Sequence, residues 1–327
     1  MFEYANHLAA SGYQVNLLCS IERPYKSART PVFLRFLLTR FKTIHWFGFH
    51  QDVRVRVVPR INNRTTPDAV ATISTWWQMA YAITQLSAAK GVAINLIQGY
   101  ELWKGQAERV HASYSLPVCH VVIARYLQDV EEQHSGSKPI HIPNAIALQQ
   151  FTITTPLAAR PASVIMLYSE EEHKGSVYGL AALEELKRLF PALEATLFSV
   201  YARPRHIPAW IAFVQRPANL SELYNRHTIF MSPSLSEGWA LPPAEAMACG
   251  CAVVCTDIGG HWDYGIQEKT ALLVPARDPG ALVMAVSKLL TDPVFRTTLS
   301  TAALEHIRQF DWQRSTRQLI QLFQDNR

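Results

Sequence analysis

One stretch of nineteen residues constrains this chain more than any other: Ser232-Pro-Ser-Leu-Ser-Glu-Gly-Trp-Ala-Leu-Pro-Pro-Ala-Glu-Ala-Met-Ala-Cys-Gly250. The apolar run before it, Thr228-Ile-Phe-Met231, reads as a short buried strand bounded by turn residues. A loop of Pro, Ser and Gly follows. A helix then starts at Pro242 or Pro243, where proline is tolerated because first-turn N–H groups have no partner inside the helix. Gly250 stops that helix as a left-handed cap, and Cys251-Ala-Val-Val-Cys255 reads as the next strand. The order strand, loop, helix, strand is that of an α/β domain.

The loop opens onto a helix N-terminus, where free N–H groups and the helix dipole favour an anion. Two carboxylates frame it. Glu237 precedes the helix; Glu245 lies about one turn in and leans back toward the same mouth. Acids beside an anion site suit a ligand that also presents hydroxyls in need of acceptors, as a sugar nucleotide does.

The remaining bounds come from composition. A chain of 327 residues holds two domains of ordinary size. Hydrophobic residues at 49% against 17% charged fit a globular protein with a large core. A net charge of +5 suits anionic substrates or a membrane surface. With no dense Lys/Arg tract it does not point to nucleic acid. The five cysteines, Cys19, Cys119, Cys249, Cys251 and Cys255, are odd in number and read as free thiols in a reducing, cytoplasmic setting. The last three cluster without a zinc spacing and read as buried structural residues. No signal peptide is visible at the N-terminus. The uncharged stretch 69–89 reads as a helix packed on a sheet, since Thr, Ser and Gln interrupt it too often for a membrane span. Residues 26–50 interleave Lys26, Arg29, Arg35, Arg40 and Lys42 with Phe33, Phe36, Phe41 and Trp46. Such a helix lies in an anionic membrane interface, at the inner face, or packs on its own domain; both readings stay open.

Glu237 and Glu245 have seven residues between them, and Asp257-Ile-Gly-Gly260 and Leu273-Val-Pro275 follow. This ensemble resembles the E-x7-E signature of retaining GT-B glycosyltransferases, specifically glycosyltransferase family 4. The resemblance implies an α/β fold of two Rossmann-like, doubly wound domains facing across a cleft. The expected boundaries are 1–152 for an acceptor-side domain, 153–305 for a donor-binding domain, and 306–327 for a closing helix that returns to the first domain. Relatives carry a first strand and a glycine-rich loop ahead of the helix that here begins at Phe2; the N-terminal domain is expected to lack both.

Other segments fit the same pattern. Ile97-Gln-Gly-Tyr-Glu101 resembles an I-Q-x-Y-E of this subgroup, and Gln98 and Glu101 are candidate acceptor or sugar contacts. Ile142-Pro-Asn-Ala-Ile146 resembles the I-P-N-G-I-D that closes the first domain. Relatives read G-R-x4-K-G at the start of the second domain. Here Lys174-Gly175 matches, while Tyr168 and Ser169 occupy the Gly and Arg positions. One phosphate cation is therefore absent, with Arg203, Arg205 or Arg216 as candidates to replace it. His120 reads as a core histidine, and His261 is a candidate ligand contact.

By resemblance, Glu245 accepts from ribose hydroxyls and Glu237 binds a hydroxyl of the donor sugar. Backbone N–H groups of Gly238, Trp239 and Ala240 hold the sugar and β-phosphate, with Ser236 and Leu241 beside them. Lys174 stabilises charge on the departing diphosphate. The chain has no Asp-x-Asp motif, so metal-independent transfer is expected, with no cofactor and no metal. The activity implied is retaining transfer of a sugar from a nucleotide diphosphate sugar to a glycan or lipid-linked acceptor, as in polysaccharide biosynthesis. The alternatives are a catalytically impaired nucleotide-sugar-binding protein, a fragment of such an enzyme, and a GT-B phosphorylase or epimerase.

Overall fold

Short apolar runs bounded by glycine, proline and serine become parallel strands here, joined by helices whose apolar faces lie against them. The computed structural model describes residues 1–22, 36, 39, 44, 46–102 and 106–326. They fall into two units, Met1–Asn144 with Trp312–Arg327, and Ala145–Asp311.

In the first unit the helix Phe2–Ala10 leads to β1, Val15–Ser20. β2, Val53–Val58, pairs with it in parallel from Val15↔Val53 to Ser20↔Val58. β3 (Ala71–Ser74), β4 (Val92–Ile97), β5 (Cys119–Val122) and β6 (Ile140–His141) form a second parallel sheet in that order. The outer edges of β1 and β3 line one cavity of about 540 Å³. The helix Trp312–Asp325 packs on Phe2–Ala10, with the Trp312 ring edge-on to Tyr4 at 4.9 Å.

Residues 69–89 are not one helix. Thr72 and Ile73 are β-branched and stiff at χ1, so Ala71–Ser74 forms β3 against β4, and the helix is confined to Trp77–Ile83. Among the described residues no helix is long and apolar enough to cross a membrane. The basic and aromatic run at 26–50 lies outside the described residues, apart from residues 36, 39, 44 and 46–50.

The second unit is one parallel sheet of β7 (Ser163–Leu167), β8 (Glu194–Ser199), β9 (Ala212–Gln215), β10 (Ile229–Ser232), β11 (Ala252–Thr256) and β12 (Leu272–Val274). Their order is β12-β11-β10-β7-β8-β9. Every residue of β10 and β11 is buried, as expected for a sheet covered on both faces. The core joins Val164 and Met166 of β7 to Leu183 and Leu186 of the helix Ser176–Leu189 and to Val286 and Leu289 of the helix Pro279–Thr291. Asn219, Asp278 and Asp292 each cap a helix by accepting the N–H three residues on. The cap at Asp292 starts a helix over Pro293–Ile307 that the sequence reading passed over.

This order matters for ligands. From β7 the sheet grows one way through β8 and β9, then resumes on the other side of β7 through β10, β11 and β12. The connections therefore part between β7 and β10, and the crevice at their carboxyl ends is where open α/β sheets bind ligands.

Candidate functional site

Both sides of that crevice are held by close backbone approach. After β7 the chain makes a short 3₁₀ turn, Glu172–Lys174, and then Gly175 at φ 64°. A Cβ at Gly175 would lie 2.0 Å from the Pro233 carbonyl oxygen, so only glycine lets the loop after β10 come this near. The Leu235 N–H donates to the His173 carbonyl at 2.7 Å and ties the two loops together.

The tie brings two sequence-predicted residues into contact. Lys174 Nζ donates to both Glu237 oxygens, at 2.8 Å to Oε1 and 3.0 Å to Oε2, and the Ser234 hydroxyl donates to Oε1 at 2.9 Å. The side chains are 23% and 12% exposed, so the pair is partly shielded from solvent, where a charge pair is stronger than at a free surface. Leu167, Lys174, Ser232, Ser234 and Glu237 line a cavity of about 10 Å³ there, about what one water needs.

Gly260 supports Glu237 from the other side. A Cβ on Gly260 would fall 2.5 Å from the Glu237 Cβ. Next to it His261 is fully buried, and burial lowers its basicity. The neutral ring donates from Nδ1 to the Thr256 carbonyl at 2.7 Å, leaving Nε2 to accept from the Ser232 hydroxyl at 3.4 Å. His261 thus joins the ends of β10 and β11; it is scaffold, not the ligand contact it was a candidate to be.

The helix Leu241–Ala248 starts at the N-cap Ala240 with Pro242 and Pro243 in its first turn. Glu245 stands partly exposed in the next turn. Burial pushes its carboxyl up to about 7, and the Tyr224 hydroxyl, donating to Oε2 at 3.1 Å, pulls the other way. Ser236 and Leu241 are exposed at the same mouth.

Two assignments change. The Ala240 N–H donates to the Gly260 carbonyl at 3.2 Å, so that amide is committed to the loop and does not serve a phosphate. The Trp239 indole points into the unit, donating from Nε1 to Asp263 Oδ2 at 3.2 Å and packing on Tyr264 and Phe310. Only its backbone is left for a ligand. The missing cation is not supplied by Arg203, whose guanidinium is taken up by the Ile211, Ile207 and Pro208 carbonyls. Ser169 carries no charge, and its N–H is bonded to the Ser176 hydroxyl at 2.9 Å. Of the residues lining the small cavity there, Lys174 is the one that carries a positive charge.

Gln98 and Glu101 lie at the carboxyl end of β4 in the first unit. Gln98 donates from Nε2 to the Thr75 carbonyl at 3.5 Å, and Glu101 Oε2 accepts the Trp77 N–H at 3.3 Å. Burial pushes the Glu101 carboxyl up to about 7. Among the described residues no three His, Cys, Asp or Glu side chains gather to hold a metal. Sequence reasoning missed Ser234, Tyr224 and Arg160. Arg160 is buried and donates to the carbonyls of Thr155, His227 and Cys249, anchoring the end of the helix Leu241–Ala248. It sits in a Pro- and Ala-rich segment, where nothing in the pattern flags it.

The model of the family described as glycosyl transferases group 1 matches residues 204–306, the segment that holds Glu237, Glu245 and Gly260. The family match is confined to that segment, and in fold the chain's parallel α/β architecture is similar to solved GT-B structures. Among curated relatives, the D-inositol 3-phosphate glycosyltransferase of Corynebacterium urealyticum is 33% identical over 107 residues, 33% of this chain and 25% of that protein. The lipopolysaccharide core biosynthesis mannosyltransferase LpcC of Rhizobium leguminosarum bv. viciae is 34% identical over 98 residues, 30% of this chain and 28% of that protein. The matched part thus spans about a quarter of these relatives' length. Among solved structures, sucrose-phosphate synthase from Thermosynechococcus elongatus matches with a TM-score of 0.74 at 19% identity, over 99% of this chain and 91% of that one. HepE from Anabaena, in complex with UDP-glucose, matches with a TM-score of 0.67 at 15% identity over 78% of each chain.

Proposed function

We propose that this chain transfers a sugar from a nucleoside diphosphate sugar to a glycan or lipid-linked acceptor, with retention of configuration and without a metal ion. One observation carries the reading: Lys174 and Glu237 are paired at the switch point of the second unit's sheet, beside a helix N-terminus that bears Glu245. The chemistry is complementary to such a donor. Glu245 accepts from the ribose hydroxyls, and Glu237 accepts from a hydroxyl of the sugar. The amides of Gly238 and Trp239 and the Lys174 ammonium face the diphosphate. That a similar fold holds UDP-glucose in HepE, and that LpcC is named a mannosyltransferase, support the substrate class.

In the transfer step the bond from the anomeric carbon to the β-phosphate oxygen breaks. The acceptor hydroxyl oxygen bonds to that carbon from the same face, and its proton passes to the departing phosphate. Lys174 stabilises the charge that develops on the diphosphate, an electrostatic role that fixed charges fill well in a shielded site. No acid across the scissile bond is assigned, so the double-displacement pairing of glycosidases is not invoked.

The test is nucleotide release and product analysis with UDP- and GDP-sugars over a panel of glycan and lipid-linked acceptors. Nucleotide release with an acceptor, an unchanged rate in EDTA, and a product anomer matching the donor by proton NMR support the proposal. An inverted anomer or loss of rate in EDTA overturns that part of it. The uncharged Ser169 favours a second reading, a nucleotide-sugar-binding protein without turnover; donor binding with no release across the panel would support that instead.

A further inference from the structure

Glu245 is a half-buried carboxylate whose Oε2 accepts from the Tyr224 hydroxyl at 3.1 Å. Its environment favours the neutral acid, yet a ribose with two hydroxyl donors needs a carboxylate that accepts. Something must favour the charged form and aim it. We infer that Tyr224 is the positioning residue that favours the charged form of Glu245 and fixes which of its oxygens faces the ligand; this rests on the donor-binding reading of Glu245.

Tyr224 is fully buried in the helix Leu220–Asn225. Its ring is fixed by edge contacts to Phe198 at 5.8 Å and Phe230 at 5.7 Å, with Phe151 at 6.1 Å. Its backbone is fixed too, because the Tyr224 carbonyl accepts from the Cys251 thiol at 3.3 Å and from Arg160 Nη1 at 3.4 Å. With ring and backbone held, the hydroxyl has one direction, and there it meets Glu245 Oε2 at 3.1 Å. Burial and the Glu245 charge both raise the phenol well above its ordinary value, so Tyr224 stays protonated and acts as a donor. A buried donor left without an acceptor is unfavourable. The hydroxyl therefore stabilises the carboxylate and occupies Oε2, which leaves Oε1 to the ligand. Tyr224 touches neither sugar nor phosphate in this account; it acts through Glu245.

The groups that face Glu245 set the sign of the effect. The acidic neighbour-to-be is the diphosphate, the nearby Cys249 thiol and Tyr264 phenol are held neutral by burial, and Tyr224 is the donor. Removing that donor raises the Glu245 carboxyl further. Binding of UDP and GDP is then measured by calorimetry between about pH 6 and 9 for the wild type, Tyr224→Phe and Glu245→Gln. Affinity in the wild type rises as pH passes the Glu245 midpoint. In Tyr224→Phe the midpoint moves up by about one unit, with affinity near wild type at the alkaline end. A purely structural role for Tyr224 would lower affinity equally at every pH, and an unshifted profile would overturn the inference. Glu245→Gln, which cannot ionise, must bind weakly and keep only the step of the nucleotide's own terminal phosphate, which is common to all three proteins. If it binds like wild type, the donor-site reading of Glu245 fails; if it is weak and lacks the Glu245 step while Tyr224→Phe keeps the wild-type midpoint, only the role of Tyr224 fails. Should Tyr224→Phe not fold, the wild type still decides: the carbon-13 shift of the Tyr224 Cζ must follow the Glu245 titration if its hydroxyl donates to Oε2, and a Tyr224 signal that ignores that titration overturns the inference.

Discussion

Lys174 Nζ lies 2.8 and 3.0 Å from the two carboxylate oxygens of Glu237, sixty-three residues further along the chain. The cation that a diphosphate needs is thus held in place by the acid assigned to the sugar. In the proposed reaction a donor entering this mouth would exchange that pairing for two others: phosphate on Lys174 and a hydroxyl on Glu237. Because the charge pair exists beforehand, neither side chain has to be ordered from solution when the ligand arrives.

Replacing Lys174 should act on the diphosphate and not on the nucleoside. Lys174→Met is expected to lower transfer by about 10²–10³-fold, the range for removing a fixed charge that stabilises a developing anion. Calorimetry with UDP and with uridine checks it: UDP affinity falls and uridine affinity does not.

Gly260 gives a test of position without touching charge. In Gly260→Ala the new methyl must push on Glu237, 2.5 Å away at Cβ and 2.6 Å at the carbonyl oxygen. Overpacking of this kind costs about 1–3 kcal/mol, and a shift of about 1 Å in a reacting group lowers rate by about 10²-fold. Denaturant midpoints and transfer rates read the two effects, while nucleotide affinity stays close to wild type.

Glu101 predicts a pH dependence of stability. Its carboxyl is raised from 4.5 to about 7 in the folded chain, so the folded state holds a proton that the unfolded state has lost between those values. Stability contributed by this group is therefore present at low pH and falls as pH rises through about 7. Urea midpoints for the wild type should decline across that window, and Glu101→Gln should flatten the decline.

Arg160 carries the largest structural prediction. Arg160→Ala withdraws donors from the buried carbonyls of His227 and Cys249 and from Asn225 Oδ1. Asn225 Oδ1 keeps the N–H groups of Thr154 and Thr155, and the His227 carbonyl keeps the Cys251 thiol, so the main loss is at the Cys249 carbonyl, at about 1–3 kcal/mol. The unfolding midpoint should drop sharply, and any loss of nucleotide binding should follow it.

How much of this was legible depends on whether the signal was local. The Ser232–Gly250 stretch carried its own punctuation, and the strand, loop, helix and next strand stand where that punctuation put them, with Gly250 at φ 80° just past the helix. Lys174 was legible because Gly175 follows it; the meeting with Glu237 was not, since it depends on Pro233 crowding Gly175 in space. The Ala240 amide was misread for the same reason, as its partner Gly260 lies twenty residues on. Tyr224 and Arg160 work through buried partners drawn from several segments, and no spacing in the sequence announces such a hub. The stretch at 69–89 was misjudged because an uncharged run has no period of its own, and pairing with β4 decided its first half.

The most direct measurement is the affinity of UDP and GDP for Glu237→Ala and Glu245→Ala beside the wild type, taken with transfer rates on the same preparations. Losing the ribose acceptor should weaken nucleotide binding about tenfold or more, the size of a charged hydrogen bond. Glu237→Ala should bind nucleotide almost as the wild type does and yet transfer no sugar. Equal, small effects from the two substitutions would contradict the account.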